Sequence, residues 1–470
     1  MRKSLVFPTI AATLLAGCTV GPNYQRPAIP APANFRAPEG TPTFDPESVG
    51  DLKWFEVFKD EKLQELVRAA LAQNYDLRDA AARVEAATAQ LGVTRSNQYP
   101  NVGAGADIST IRLSRNGQTP LPVAFVPSQN RTFGGATLDL LSFEVDIWGR
   151  LRRATEAARA NLLNAEENRK AVMTTLVSEV ASDYFSLREL DYQLEISQRT
   201  LATRKDSLGL IQTRQLGGVA TLLDLRQAEQ LVYTASETIP TLQQQIEQTE
   251  NQISLLLGKN PGEVLRGKSL TEQEMPPDVP AGLPSALIER RPDIRAAEQN
   301  LIAANANIGV AKAAYFPQIS LSGFLGGQGT QLASLFSGPS SVWNFTPQVT
   351  QPIFTAGRLK SEVKLSQAQR DIALIQYEKT IQTAFTEVSD SLIAHQRVRE
   401  SRVQQELLVA ALQDRTRLAY VRYTGGVDTL LNALDSDRDL FQAELTLSQI
   451  RLNELDSVVQ LYKALGGGWQ

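Results

Sequence analysis

The sequence predicts a mostly α-helical chain that also carries strands for a membrane β-barrel. Three observations support this. The chain is one module written twice; each copy holds a 67-residue run almost free of helix breakers; and two segments of period-two alternation precede each run. The duplication is read directly. Asp76-Leu77-Arg78-Asp79-Ala80 returns as Asp293-Ile294-Arg295-Ala296-Ala297, and at the same shift Gly92-Val93 meets Gly309-Val310 and Tyr99-Pro100 meets Phe316-Pro317. Farther on, at a slightly shorter shift, Gly149-Arg150-Leu151 meets Gly357-Arg358-Leu359 and Glu179-Val180 meets Glu387-Val388. Gly217-Gly218-Val219 likewise meets Gly425-Gly426-Val427, and the difference falls in a longer loop between Asn101 and Phe133. Two copies are too few for a short-period solenoid.

Taken in order, residues 1–17 read as a secretory leader. Arg2 and Lys3 start it, Leu5 to Leu15 form an apolar run too short to cross a bilayer as a helix, and Ala16-Gly17 are the small residues before cleavage. Leu15-Ala16-Gly17-Cys18 resembles the lipobox of bacterial lipoproteins, whose Cys is acylated; Thr19 after it carries no inner-membrane retention signal, which implies the outer membrane. Residues 18–55 are an anchor and Pro-rich tether, extended because Pro at 22, 27, 30, 32, 38, 42 and 46 suits neither helix nor strand. The first repeat occupies 56–258, a linker 259–284, and the second repeat 285–470.

Each repeat opens on an Ala-rich helix, Lys62 to Gln98 and Ser285 to Tyr315, ended by a Pro. Strands follow at about 101–148 and about 318–355. Leu141, Phe143, Val145 and Ile147 alternate with Ser142, Glu144 and Asp146; Ile319, Leu321, Gly323 and Leu325 alternate with Ser320, Ser322 and Phe324. This period suits a barrel strand in a membrane and equally a half-wet sheet in a soluble domain. Trp148 and Trp343 are placed at strand ends, as interfacial girdles require. The runs Arg150 to Leu216 and Arg358 to Thr424 would reach ~100 Å each as helices, a length that demands coiled-coil-like packing. Leu187, Leu194, Leu201 and Leu208 supply a heptad seam; Leu374, Ile381 and Val388 continue less cleanly into His395 and Arg402. A Gly-Gly pair ends each run and a helix returns, Leu222 to Leu257 and Leu430 to Leu465, with Pro240 expected to kink or divide the first. Four strands cannot close a barrel, and two chains would give eight strands and a plugged interior, so three chains are the smallest conducting assembly.

The arrangement resembles the outer-membrane factor (TolC-like) family of efflux ducts, in its lipoprotein branch. The lipobox, Gly21-Pro22-Asn23-Tyr24, Glu289-Arg290-Arg291-Pro292-Asp293, Pro352-Ile353-Phe354-Thr355-Ala356-Gly357 and the end Leu461 to Trp469 carry the likeness. It implies a homotrimer with a twelve-stranded barrel in the outer membrane and an α-helical barrel in the periplasm. It also implies a periplasmic adaptor (membrane fusion protein) and an inner-membrane RND-type transporter as partners. By the same likeness Gly217, Gly218, Val219, Gly425, Gly426 and Val427 are adaptor-docking tips. Leu431, Asp435 and Arg438 line a pore gate with Asn432 in place of a second acid, and Tyr423 bonds Asp224 to close it.

Other chemistry has little material. With 47 Lys plus Arg against 51 Asp plus Glu, the net charge of −4 speaks against nucleic acid. One His and one Cys leave little for metal or His-based catalysis, so no cofactor is expected beyond the lipid on Cys18. Gly262 to Ser269 fits the phosphate-loop pattern but lacks the strand before and helix after that the chemistry needs. The remaining alternative is a periplasmic coiled-coil scaffold or adaptor lipoprotein, and the surface of the strands separates the two.

Overall fold

The duplication is visible element by element. The structure, a computed structural model, describes residues 19–37, 49–112, 130–274 and 284–469. After a helical turn at Trp54–Val57, copy one runs α1 (Glu61–Gln73), α2 (Tyr75–Ser96), β1 (Asn101–Arg112), β2 (Asn130–Glu144), α3 (Arg150–Leu216) and α4 (Leu222–Leu256). Copy two runs α5 (Pro284–Arg290), α6 (Pro292–Ala313), β3 (Gln318–Gly329), β4 (Ser341–Thr350), α7 (Arg358–Thr424) and α8 (Leu430–Ala464). The long helices α3 and α7 have 67 residues each, and the return helices α4 and α8 have 35 each. Cys18 lies outside the described residues.

The opening helix of each copy is broken in two, where the sequence suggested one run. Asn74 ends α1 and caps α2, its side chain accepting from Leu77 N–H at 2.9 Å and donating to Leu256 O at 3.0 Å. In copy two Pro292 occupies the first position of α6, where a missing N–H costs nothing. Pro240 does not divide its helix, since α4 continues through it.

The chain divides into two compact units. One comprises residues up to 27, 84–164 and 297–377. It contains a four-stranded antiparallel sheet in the order β1-β2-β3-β4. Alternation sorts its faces in the main, with Ile111, Phe133 and Phe324 on the otherwise polar one. Register places Val102, Ala104 and Ile108 of β1 beside Leu138 and Leu140 of β2, then Leu325 and Gly323 of β3, then Trp343, Phe345 and Val349 of β4. The opposite face carries Asp107, Ser109, Thr137, Asp139, Ser320, Ser322, Thr346 and Gln348. In copy one the apolar face is borne by Leu138, Leu140 and then Phe143 across a bulge, so the Leu141–Ile147 alternation lies at and beyond the strand end. Trp343 is exposed on the apolar face. Trp148 instead stacks on Phe316 at 4.7 Å, its Nε1–H donating to Pro317 O at 2.9 Å, and so is no free girdle residue. Gly21 to Arg26 are pinned along this unit. Val20 N–H donates to Trp148 O, Asn305 to Pro22 O, Arg153 to Asn23, and Tyr24 and Arg26 to Glu298.

The other unit comprises residues 28–83, 165–296 and 378–470. Here Leu187, Tyr184, Ile196 and Ile211 of α3 are buried, whereas Leu194, Leu201 and Leu208 are half-buried. The buried line along α3 therefore passes through Ile196, Thr200, Arg204 and Ile211. Ile381 and Val388 of α7 are buried as the seam requires. Among the described residues no helix is long and apolar enough to cross a membrane.

Candidate gate and docking tips

Each hairpin tip is a helix C-terminus closed by a left-handed glycine. Gly218 (φ 73°) and Gly426 (φ 76°) occupy the position where a β-carbon is disfavoured. At the first tip Val219 N–H returns to Arg214 O at 2.9 Å and Gly218 N–H to Gln215 O at 3.0 Å. Val427 to Arg422 O and Gly426 to Tyr423 O repeat the pattern, which satisfies carbonyls that a helix end leaves free. Leu216, Val219, Leu222 and Leu223 at the first tip, and Val427 at the second, stand exposed.

The start of α8 has two faces. Leu430, Ala433 and Leu434 are buried, and Leu430 and Leu434 pack with Ile211 and Ala228 against Leu208, Leu225, Leu231 and Tyr423. That leaves Leu431, Asp435 and Arg438, spaced four and three apart on one face, pointing away from the packing. Leu431 is 50 % exposed, and Arg438 Nη1 lies 3.3 Å from Asp435 Oδ1. Asn432 donates to Asp428 at 2.7 Å. Asp428 is held below the usual carboxylate range by Asn432, by Arg422 at 3.0 Å and by the Thr429 N–H.

The Tyr423–Asp224 bond expected from the family is not formed between these side chains. Asp224 is the third residue of α4, and its carboxylate reaches back to the cap. Thr221 N–H and Oγ1–H donate to Oδ2 at 2.7 and 2.8 Å, while Asp224 N–H donates to Thr221 Oγ1. Tyr423 instead carries the Arg214 guanidinium over its ring at 4.7 Å.

A contact that sequence reading missed lies within a few turns of the candidate gate face. Arg204 of α3, 3 % exposed, donates to Asp437 Oδ2 at 2.7 Å and to Leu231 O of α4 at 2.9 Å. Its guanidinium also covers the Phe441 ring at 4.9 Å. Tyr420 of α7, whose hydroxyl is hydrogen-bonded to Ser207, completes the group, and burial raises its pKa. Four helices thus meet at one arginine. The only signal was a charged residue on the buried line of α3.

The phosphate-loop pattern has a structural explanation. Gly262 to Ser269 is an irregular segment after α4, and residues 270–274 that follow it directly are turn and irregular chain, not helix. Gly267 N–H donates to Tyr184 Oη at 2.9 Å, and Lys268 N–H to Asp60 Oδ2 at 3.0 Å. Asp60, buried, also caps α1 and accepts from Tyr184 and Gln273. Lys268 Nζ is paired with Glu274. His395 faces Ser457 Oγ at 3.0 Å.

The comparisons fit this geometry. The family model described as outer membrane efflux protein matches residues 66–259 and 283–467, one stretch per repeat. The chain is 39 % identical over 475 residues to the toluene efflux pump outer membrane protein TtgC of Pseudomonas putida, covering 100 % of this chain and 96 % of that protein. It is 34 % identical to the cation efflux system protein CusC of Escherichia coli, covering 100 % of each. The open state of the Neisseria gonorrhoeae MtrE outer membrane channel superposes with a TM-score of 0.87 at 31 % identity, covering 96 % of this chain and 99 % of that one. This chain is an outer-membrane protein and belongs to the outer membrane efflux protein family.

Proposed function

We propose that the protein is the passive exit duct of a tripartite efflux pump, working as a homotrimer. The observation that carries this is the sheet. One face is mainly apolar and exposed, the other mainly polar, and among the described residues β1 and β4 each have a strand on one side only. An open edge in lipid is untenable, so the sheet must close on copies of itself, and three sheets of four enclose a water-filled lumen. The long helix α7 agrees. Leu365, Ile372, Leu407 and Val421 fall at multiples of seven, with Ile375 and Val403 at the partner position of the heptad, and all six are exposed in the single chain.

In this reading Cys18 is acylated and anchors the chain. The Gly218 and Gly426 tips dock a periplasmic adaptor serving an inner-membrane RND-type transporter, and the Leu431–Asp435–Arg438 face lines the aperture. The cargo is organic: drugs, solvents or similar compounds. Met173 and Met275 are the only methionines beyond the leader, too few for a thioether path for soft metal ions. The test is native mass in detergent together with planar-bilayer conductance of the purified protein. A three-chain mass with ion-conducting steps is expected. A monomer that never conducts would sink the proposal.

A further inference from the structure

Where β2 gives way to α3 there is a cavity of about 140 Å³. Its apolar walls are Ile147 and Trp148 after β2, Ala313, Ala314 and Phe316 at the end of α6, and Leu359 at the start of α7. The two alanines leave the space. Trp148 borders it as a stack with Phe316, ring centroids 4.7 Å apart. The repeat partner of Trp148 is Ala356, so the stack exists in one copy only. The charged groups that line the cavity are all occupied. Glu144 accepts from Arg150 Nε at 2.8 Å and from Gln318 at 3.0 Å, and Asp146 accepts from the Arg152 N–H at 2.9 Å. Arg358 is paired with Glu362 at 2.7 Å, and Trp148 Nε1–H is committed to Pro317 O. None of the lining side chains leaves a buried polar atom unpaired.

We propose that this cavity binds one small, uncharged aromatic molecule of a single ring. Volume sets the size. An apolar cavity of about 150 Å³ takes up benzene, so the space admits one ring and not two. The pairing of every lining charge sets the polarity. A charged ligand would have to break the Glu144–Arg150 pair or enter unmatched, and a molecule this small makes too few contacts to offset that. The walls set the aromatic preference. The Trp148–Phe316 stack offers a third ring an offset or edge-on contact. The guanidiniums of Arg150 and Arg358 line the same space and suit the negative face of a ring. A saturated ring of equal size gains neither. All of these residues belong to one compact unit of one chain, so binding stands or falls apart from the trimer. The bound molecule is of the class proposed as cargo.

The chain has four tryptophans, Trp54, Trp148, Trp343 and Trp469, and these make the test. The full-length protein in detergent is labelled with fluorotryptophan, and Trp148→Phe identifies the fluorine resonance of that residue. Toluene is titrated in, with benzoate and naphthalene run alongside. Toluene should shift the Trp148 resonance to saturation, and the other two should leave it in place. Trp343, exposed on the apolar face, reports toluene dissolved in the detergent and should drift without saturating. Ala314→Leu fills the cavity and should abolish the saturable shift, with the remaining resonances at their wild-type positions. Leu359→Ala enlarges it and should let naphthalene shift the Trp148 resonance. The proposal is overturned if toluene gives no saturable shift at Trp148, or if benzoate shifts it as far. A shift that survives Ala314→Leu overturns it too. Should that variant displace all the resonances, Leu359→Ala decides, and naphthalene that still leaves Trp148 unmoved there sinks the site.

Discussion

Asp60 shows how a single side chain decides the reading of a motif. Its carboxylate is buried beneath Gly267, and a β-carbon at Gly267 would come within 2.2 Å of Asp60 Oδ1. The glycine that mimics a phosphate loop is therefore kept by a carboxylate, the opposite of an anion-binding demand. Asp183 carries a different consequence. Burial pushes its carboxyl up to about 6, and the charges of Glu179 on its own helix and Asp456 on α8, which accepts from Ser182, push the same way. Unfolded, the group titrates near 3.8. Between those values the folded chain holds the proton that the unfolded chain releases. Stability therefore falls as pH rises through the window, and the full cost persists above it. Asp183→Asn should raise thermal stability at neutral pH by about 1–2 kcal/mol, the side chain's partial exposure having been allowed for, and do nothing near pH 4. Melting curves of the two proteins across that range check this. An equal gain at both ends would show that the asparagine acts by something other than charge.

At the scale of elements, α3, α4, α7 and α8 are tied together around Arg204, a few turns from the proposed aperture. A buried pair broken from one side leaves the other charge stranded, at a cost of about 3–5 kcal/mol, whereas replacing both partners with apolar groups is far milder. Arg204→Met should therefore lower the melting temperature of the assembled protein and increase its leak conductance, and Arg204→Met with Asp437→Leu should recover most of the stability. If the double variant is as damaged as the sum of the singles, Arg204 and Asp437 are not coupled and the four-helix contact holds nothing. The sequence showed the helices almost to the residue, because Pro and Gly punctuate them and nothing inside α7 interrupts the pattern. It showed the sheet less well: the β2 bulge shifts the parity of alternation, so Val145 and Ile147 mimic a strand they have left. The break at Asn74 was hidden because it is a side-chain event, whereas Pro292 marked the break at Arg291 in the sequence and the reading ran one helix through it. Asn74 caps one helix, and Arg291 is buried between Asp293, Glu387 and Ala464 O. The pairing of Arg204 with Asp437 spans more than two hundred residues, a distance at which no local pattern speaks.

For the whole molecule the decisive quantity is charge at the narrowest point. The packing of α8 frees Leu431, Asp435 and Arg438 together; in the proposed trimer, with this face on the aperture, three carboxylates and three guanidiniums would approach one axis. Within a chain Arg438 answers Asp435 at 3.3 Å and Asp439 at 3.1 Å, and both partners are largely in solvent. Such exposed pairs are weak and leave the ring's field only partly cancelled. Arg415 also answers Asp439, at 3.0 Å, so two acidic and two basic groups per chain balance, and the field there is the local one of Asp435 beside Arg438, which low-dielectric walls focus onto passing ions. Asp435→Asn should reduce the preference for cations and weaken block by multivalent cations, with single-channel conductance otherwise preserved. Arg438→Met should move both in the opposite direction, since it removes the local counter-charge. Reversal potentials under a salt gradient and titration with a trivalent cation measure the two effects in one preparation. Raising the salt should shrink the differences, because the Debye length falls to about 3 Å at 1 M. Selectivity and block that ignore Asp435→Asn would mean that this face of α8 looks away from the pore, and the constriction would have to be sought on another helix face.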